Sequence, residues 1–150
     1  MNNDTLCAFY DLEVSPISFD FTVFLILAEL ARNRSNANQL KVVIVPGGNS
    51  GFRHDDSAYD SDNKRWRLHN ILLPATSLLR SNTTVDICPD RESATEIEER
   101  HNGPIFPDGY SVSNPITEFF LSRVIAASTV GEIIPSFHAP PQAKKYMKHW

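Results

Sequence analysis

Hydrophobic positions in this chain fall into short runs separated by longer segments of mixed character. Leu6-Cys7-Ala8-Phe9-Tyr10 has the length and composition of a buried strand. Asp11 through Pro16 form a loop, and Ser18 is placed to cap a helix that begins at Phe19 and runs to about Arg34. That helix is apolar around most of its circumference, so it is expected to be covered by a sheet and by a further neighbour. Ser35-Asn36-Ala37-Asn38 ends it. Leu40-Lys41-Val42-Val43-Ile44-Val45 is β-branched and nearly continuous, the pattern of a parallel strand buried on both faces, and it stops at Pro46-Gly47-Gly48. Strand, helix and strand make a βαβ unit, which closes right-handed in nearly all cases.

A polar stretch from Asn49 to Asp62 follows, of a length found mostly in functional or mobile loops. The next helix is expected over Asn63 to Leu79, with Trp66, Ile71, Leu72 and Leu78 on its buried side and Pro74 placed to kink it. A third strand runs from Thr83 to Cys88, and a short Glu-rich helix with a solvated face from about Arg91 to His101. Asn102 to Asn114 is a Gly/Pro-rich connection, and Pro115 to Ala127 reads as a helix with proline near its first turn. Ile133, Ile134, Pro135 and Phe137 form a short apolar patch. Gln142 to Trp150 is a last amphipathic segment with Lys144, Lys145 and Lys148 outward.

The alternation predicts an α/β fold: a Rossmann-like open parallel sheet of few strands flanked by helices, one domain over residues 1–150. Three clear strands are few for a free-standing sheet. Its edge is expected to meet a second copy, another chain, or a further lobe.

Composition narrows the functional classes. Of 150 residues, 41% are hydrophobic and 21% charged, which is ordinary for a folded domain. The net charge of -4, with no basic stripe, argues against nucleic acid as a partner. A local basic pocket for one phosphate group is still compatible with it. Cys7 and Cys88 lie far apart inside apolar runs and have no ligand-spaced neighbours. They are expected to be buried reduced thiols, with no metal site signalled, and this fits a cytoplasmic protein. Met1-Asn2-Asn3-Asp4 lacks the basic and apolar regions of a secretory leader. Phe21 to Leu30, the longest apolar stretch, is too short to span a bilayer.

Ligands of open α/β sheets bind beyond the carboxyl ends of the strands. Three segments leave those ends: Asp11 to Asp20, Pro46 to Tyr59, and Pro89 to Arg91. In the second, Gly47, Gly48 and Gly51 let backbone N–H groups approach an anion, and Arg53 is suited to phosphate or carboxylate. The same residues read equally as a simple turn with a surface arginine. In the first, Ser18 and Asp20 sit at a free helix N-terminus, which attracts anions, although Asp20 also serves to balance the helix dipole. Asp11 and Asp20 are candidate general bases, and Tyr59 joins the candidate binding residues. His54-Asp55-Asp56 is either a weak catalytic or metal cluster or hydrated surface charge. No Walker A loop, G-x-G-x-x-G, G-x-S-x-G or H-E-x-x-H is present.

Phe9-Tyr10-Asp11-Leu12 with Ser18-Phe19-Asp20-Phe21 resembles the N-terminus of bacterial glycosyltransferase-like proteins from surface-polysaccharide gene clusters. So do Val42 to Gly47 with Gly51-Phe52-Arg53, and the helix Arg67-Leu68-His69-Asn70-Ile71-Leu72-Leu73-Pro74. The resemblance covers roughly residues 6 to 125 and implies a GT-B architecture of two Rossmann-like lobes. It implies further that this chain corresponds to the N-terminal, acceptor-side lobe, since GT-B enzymes bind the nucleotide-sugar mainly in the C-terminal lobe. Asp11, Asp20, Gly51 and Arg53 would then face the cleft, with Asp20 or Asp11 as base for an acceptor hydroxyl. No cofactor or bound metal is required. The partners implied are a glycan acceptor and a nucleotide-sugar. The rival expectation is a non-catalytic α/β module that self-associates or pairs with another chain.

Overall fold

The computed structural model describes residues 4–55 and 58–148. Asp56 of the His54-Asp55-Asp56 run and the last two residues of the segment ending at Trp150 lie outside the described residues, as do Ser57 and the first three. Four strands form an all-parallel sheet in the order β3-β2-β1-β4. They are β1 (Thr5–Asp11), β2 (Gln39–Val45), β3 (Asn82–Ile87) and β4 (Ile105–Phe106). The α/β open sheet expected from the alternation of elements is therefore the architecture observed. The fourth strand is the addition: two residues inside the Gly/Pro-rich connection, too short to leave a periodic signal, held beside β1 by Cys7↔Ile105 and Ala8↔Phe106 pairing.

Period-two alternation sorts the central strands onto two cores. Leu6, Ala8 and Tyr10 of β1 and Leu40, Val42 and Ile44 of β2 face α1 (Asp20–Arg34) and the helical segment after β2. Cys7 and Phe9 of β1 and Val43 and Val45 of β2 face the opposite core, with Ala94 and Ile97 of the later helix Arg91–Arg100. The larger core is aromatic: the Tyr10 ring meets Phe21 and Phe24 edge-on at 4.8 and 4.9 Å, and Phe24 meets Phe106 at 5.5 Å.

The expected double cover of α1 is present. One side lies on the sheet, and Val124 and Ala127 of the later helix Leu121–Thr129 pack into the same core. Its one buried carboxylate, Glu29, is held by Arg32 at 2.8 and 3.0 Å and by the Ser81 hydroxyl at 2.8 Å. The helix starts one residue later than the sequence suggests. Phe19 occupies the cap position without a side-chain bond, while Ser18 Oγ donates to the Asp20 carboxylate at 2.6 Å.

The segment after β2 is helical in four pieces. It opens as α2 (Ser61–Arg67), widens to a π-helical turn at Leu68–Leu72, resumes as α3 (Leu73–Ala75) and tightens to a 3-10 turn at Thr76–Leu78. The Leu73 N–H reaches back to the Leu68 carbonyl, one residue beyond α-helical spacing. Pro74, which has no N–H to offer, follows directly. Trp66, expected on the buried side, is 59% exposed, whereas Leu68 takes a core position instead. Inserting the wider turn changes which residues share a face.

Past β3 the chain forms α4 (Arg91–Arg100), then α5 (Leu121–Thr129) and α6 (Pro141–Met147). Residues 115–120, read as the first turns of a helix, are not helical. Tertiary contacts win there: the Thr117 hydroxyl lies 2.8 Å from that of Ser15, and Phe119 packs on the main core. Both cysteines are free and buried. No helix among the described residues is long and apolar enough to cross a membrane.

Candidate functional site

Strand order locates the crevice. The connections β1-α1-β2 and β2-α2-β3 travel one way across the sheet with their helices on one face. The connection β3-α4-β4 travels back past β2 and β1 with its helix on the other face. The loop leaving β1 leads to α1 on one face, while the chain leaving β4 lays Tyr110 and Val112 on the other face before α5 returns to pack beside α1; the carboxyl ends of the strands are where open α/β sheets take ligands. The three loops singled out in the sequence meet there, the third through Arg91, which bonds Asp11 and the Pro46 carbonyl. The Gly48 N–H donates to Glu13 Oε2 at 2.5 Å, and Arg53 Nη1 reaches the Val14 carbonyl at 3.4 Å. The loop after β4 joins through Ser15 and Thr117.

Asp11 does not present itself to this crevice. It is fully buried. Its Oδ1 accepts from Arg91 Nη1 at 2.8 Å and the Glu13 N–H at 2.9 Å, and its Oδ2 from Arg91 Nη2 at 2.9 Å and the Tyr110 hydroxyl at 2.7 Å. Arg91 also donates to the Pro46 carbonyl at 3.0 Å and the Val112 carbonyl at 2.7 Å. One bidentate pair thus ties the ends of β1 and β2, the start of α4 and the loop after β4. Asp11 was expected as a candidate base. With four hydrogen bonds and no exposed surface it has neither a free lone pair nor access to a substrate hydroxyl. Its hydrogen bond and charge hold the Arg91 guanidinium above its ordinary, already high pKa. Burial and the bond to Asp11 keep the Tyr110 phenol protonated.

Asp20 is placed differently. It opens α1, is half-buried, and its Oδ2 accepts a hydrogen bond from the Ser18 hydroxyl at 2.6 Å. The Tyr10 phenol, which donates to the Pro16 carbonyl at 2.6 Å, feels both Asp20 and Arg53. Burial first, and then Asp20, push its pKa up, while Arg53 opposes them. Asp20 and Arg53 therefore stand within electrostatic reach of one phenol. Arg53 lies 3.2 Å from Asp55, whose other oxygen takes the nearly buried Lys64 ammonium at 2.8 Å. Carboxylate, hydroxyl and guanidinium on adjoining loops can accept a proton from a bound hydroxyl and neutralise an anion beside it.

The glycines make a turn rather than an open cradle. Ser50 and Gly51 have φ of 53° and 92°, and Gly47, Asn49 and Phe52 exchange backbone bonds across a tight hairpin. Positive φ at both central positions is the signature of a type I′ turn. The Gly47, Asn49 and Phe52 N–H groups are used inside the hairpin, and the Gly48 N–H is taken by Glu13. An internal carboxylate thus stands where the sequence suggested an external anion.

A Cβ on Gly47 would lie 2.5 Å from the Phe52 carbonyl carbon, but a Cβ on Gly48 meets nothing closer than Glu13 Oε2 at 3.4 Å. Gly47→Ala is accordingly expected to cost about 2 kcal/mol or more, and Gly48→Ala under about 0.5 kcal/mol, in urea unfolding.

Tyr59 is 47% exposed, with the Arg67 guanidinium 4.5 Å over its ring. His54 is exposed. Glu13 and Arg91 fall in strand-end loops that the sequence points to but are given no role there, and Tyr110, inside the Gly/Pro-rich connection, is missed altogether. Among the described residues no three His, Cys, Asp or Glu side chains gather as a metal site would need. Compared with protein-family models, with curated proteins and with solved structures, the chain finds no match in any of the three.

Proposed function

We propose that this chain is the acceptor-side, Rossmann-like lobe of a GT-B-like glycosyltransferase, binding a hydroxylated acceptor at the carboxyl ends of β1 and β2. The observation that carries the reading is the Ser18–Asp20 pair at the opening of α1, with Arg53 of the loop after β2 reaching the Val14 carbonyl in the loop that leads into that helix, at the carboxyl ends of β1 and β2. In this reading Asp20 receives the proton of the attacking hydroxyl as its oxygen bonds the anomeric carbon of the donor sugar, and the bond from that carbon to the nucleotide's phosphate oxygen breaks, the nucleotide leaving as the phosphate anion. Arg53 offsets negative charge developing opposite it. Asp11 and Arg91 hold the loops in place and touch no substrate. The nucleotide-sugar is assigned to a second lobe.

The test is a thermal-shift and NMR titration with two panels. One holds UDP-, GDP-, ADP- and CMP-sugars; the other holds methyl glycosides and short oligosaccharides of common hexoses. A ligand that binds only the native state raises the melting temperature. The expected result is a response to the glycosides, reduced roughly tenfold in affinity by Arg53→Ala, and none to the nucleotide-sugars. A nucleotide-sugar response that Arg53→Ala and Asp20→Asn leave intact contradicts the assignment.

A second reading, a self-associating module, is favoured by one feature. Phe120, Leu121 and Ile125 at α5, and Val130 just beyond it, are 51 to 77% exposed, an apolar surface of the kind that marks protein contacts. Light scattering showing a monomer at high concentration counts against it.

A further inference from the structure

The two edges of the sheet are built differently. β4 ends one side with two residues, too short to template another strand. β3 ends the other with six, in unbroken register with β2 and exposed or half-buried along its whole length. Long edges are commonly blunted by proline, by lysine, by a bulge or by a covering segment. Among the described residues β3 has none of these. Its sequence, Asn-Thr-Thr-Val-Asp-Ile, is rich in β-branched residues. Its one charge, Asp86, is matched within the molecule by Lys41 Nζ at 2.7 Å.

The backbone of this edge is half used. The Cys88 N–H donates to the Ile44 carbonyl at 3.0 Å. In a parallel ladder the N–H and C=O of one residue turn to the same neighbour, and the direction alternates along the strand. Thr84, Asp86 and Cys88 therefore turn their backbone groups to β2, and Thr83, Val85 and Ile87 turn theirs outward. Among the described residues nothing bonds those outward groups.

We propose that a second copy of this chain pairs along β3, joining two four-stranded sheets into one continuous sheet. A two-fold axis normal to the sheet makes the two copies of β3 antiparallel. With the axis at Val85, the two Val85 residues exchange both backbone bonds, and Thr83 and Ile87 of each copy exchange theirs with Ile87 and Thr83 of the other. Every outward group is then satisfied. Thr84 of each copy comes to stand opposite Asp86 of the other, a hydroxyl donor facing a carboxylate acceptor on the α4 side of the sheet. Neighbouring registers are worse. An axis at Asp86 sets the two carboxylates face to face and puts Pro89, which has no N–H, opposite Thr83. An axis at Thr84 carries Ile87 past the end of β3, opposite Ser81. This surface is separate from the strand-end loops and from the exposed residues of α5, and the proposal rests on neither.

Sedimentation equilibrium of the full chain over a wide concentration range, with amide hydrogen exchange followed by NMR, tests it. A dimer is expected. In it the Thr83, Val85 and Ile87 amides should exchange about tenfold or more slowly than in the monomer, while those of Thr84 and Asp86 are protected in both. Thr84 is exposed, so its side chain can change without disturbing the core. Thr84→Asp, which sets a carboxylate against Asp86 of the other copy twice over, should weaken the dimer roughly tenfold. Thr84→Lys, which makes two ion pairs instead, should tighten it roughly threefold. Leu121→Ser with Ile125→Ser should leave it unchanged. A monomer at every concentration overturns the pairing of copies and leaves the edge to a different chain. A dimer in which the three outward amides exchange as in the monomer, or which both Thr84 substitutions weaken alike, or which only the α5 substitutions dissolve, also overturns it.

Discussion

Asp11→Asn is expected to cost about 3–5 kcal/mol of folding stability and to lower the melting temperature by roughly 10 °C. Asparagine fills the same volume but turns one acceptor end into a donor. That end then faces either the Arg91 guanidinium and the Glu13 N–H, which only donate, or Arg91 with the Tyr110 hydroxyl, which can turn to accept while the guanidinium cannot. Arg91 loses its bidentate partner while still gripping the Pro46 and Val112 carbonyls. The full penalty of breaking a buried pair applies because Asp11 has no exposed surface to recover hydration.

Equilibrium urea unfolding measures the effect, and a double-mutant cycle locates it. In an Arg91→Ala background Asp11→Asn should cost much less, because the two changes remove the same interaction. An unchanged unfolding midpoint for Asp11→Asn would show that the carboxylate is not a fastener, and would return it to the list of reacting groups.

Stability is expected to fall steeply as pH rises past 9. Burial pushes the Cys7 thiol from an ordinary 9.0 up to about 11. Burial also drives the Tyr10 and Tyr110 phenols well above their ordinary 10.0, with neighbouring carboxylates adding to the effect. Cys88 moves the same way. In the unfolded chain these groups ionise at their ordinary values, so above pH 9 the unfolded state binds fewer protons than the native one. The stability then declines with rising pH. The loss runs from pH 9 to 11 for Cys7 and from pH 10 upward for the tyrosines, at up to about 1.4 kcal/mol per group for each pH unit. Urea midpoints at pH 7, 9, 10 and 11 measure it. The double variant Cys7→Ala/Cys88→Ala should flatten the slope between pH 9 and 10 and keep the fall above 10. A slope that the double variant leaves unchanged below pH 10 contradicts the buried-thiol origin.

The parallel sheet was legible because β1 and β2 are buried on both faces, and the apolar runs that such strands require are visible residue by residue. Helix α1 was legible for the same reason. What the sequence hid depended on partners far along the chain. Strand β4 is two residues held by pairing to β1. Residues 115–120 follow a contact with Ser15, 102 positions away, instead of their own helical tendency. The π-helical turn after α2 is announced by no residue-by-residue period, and Trp66 of α2 is exposed where the sequence suggests burial.

The loops holding the site could be named, because strand ends are where such sheets carry ligands. The division of labour between the two aspartates could not. Asp11 and Asp20 look alike in sequence. They are separated only by Arg91 and Tyr110, which lie 80 and 99 positions from Asp11.

The central claim is that ligands meet this domain at the carboxyl ends of β1 and β2. Chemical-shift mapping on uniformly labelled protein, titrated with methyl glycosides and short oligosaccharides, tests it most directly. The account predicts changes clustered in residues 15–22 and 48–53. Changes confined to α4, the β3 edge or the outer face of α5, with the strand-end loops silent, would contradict it.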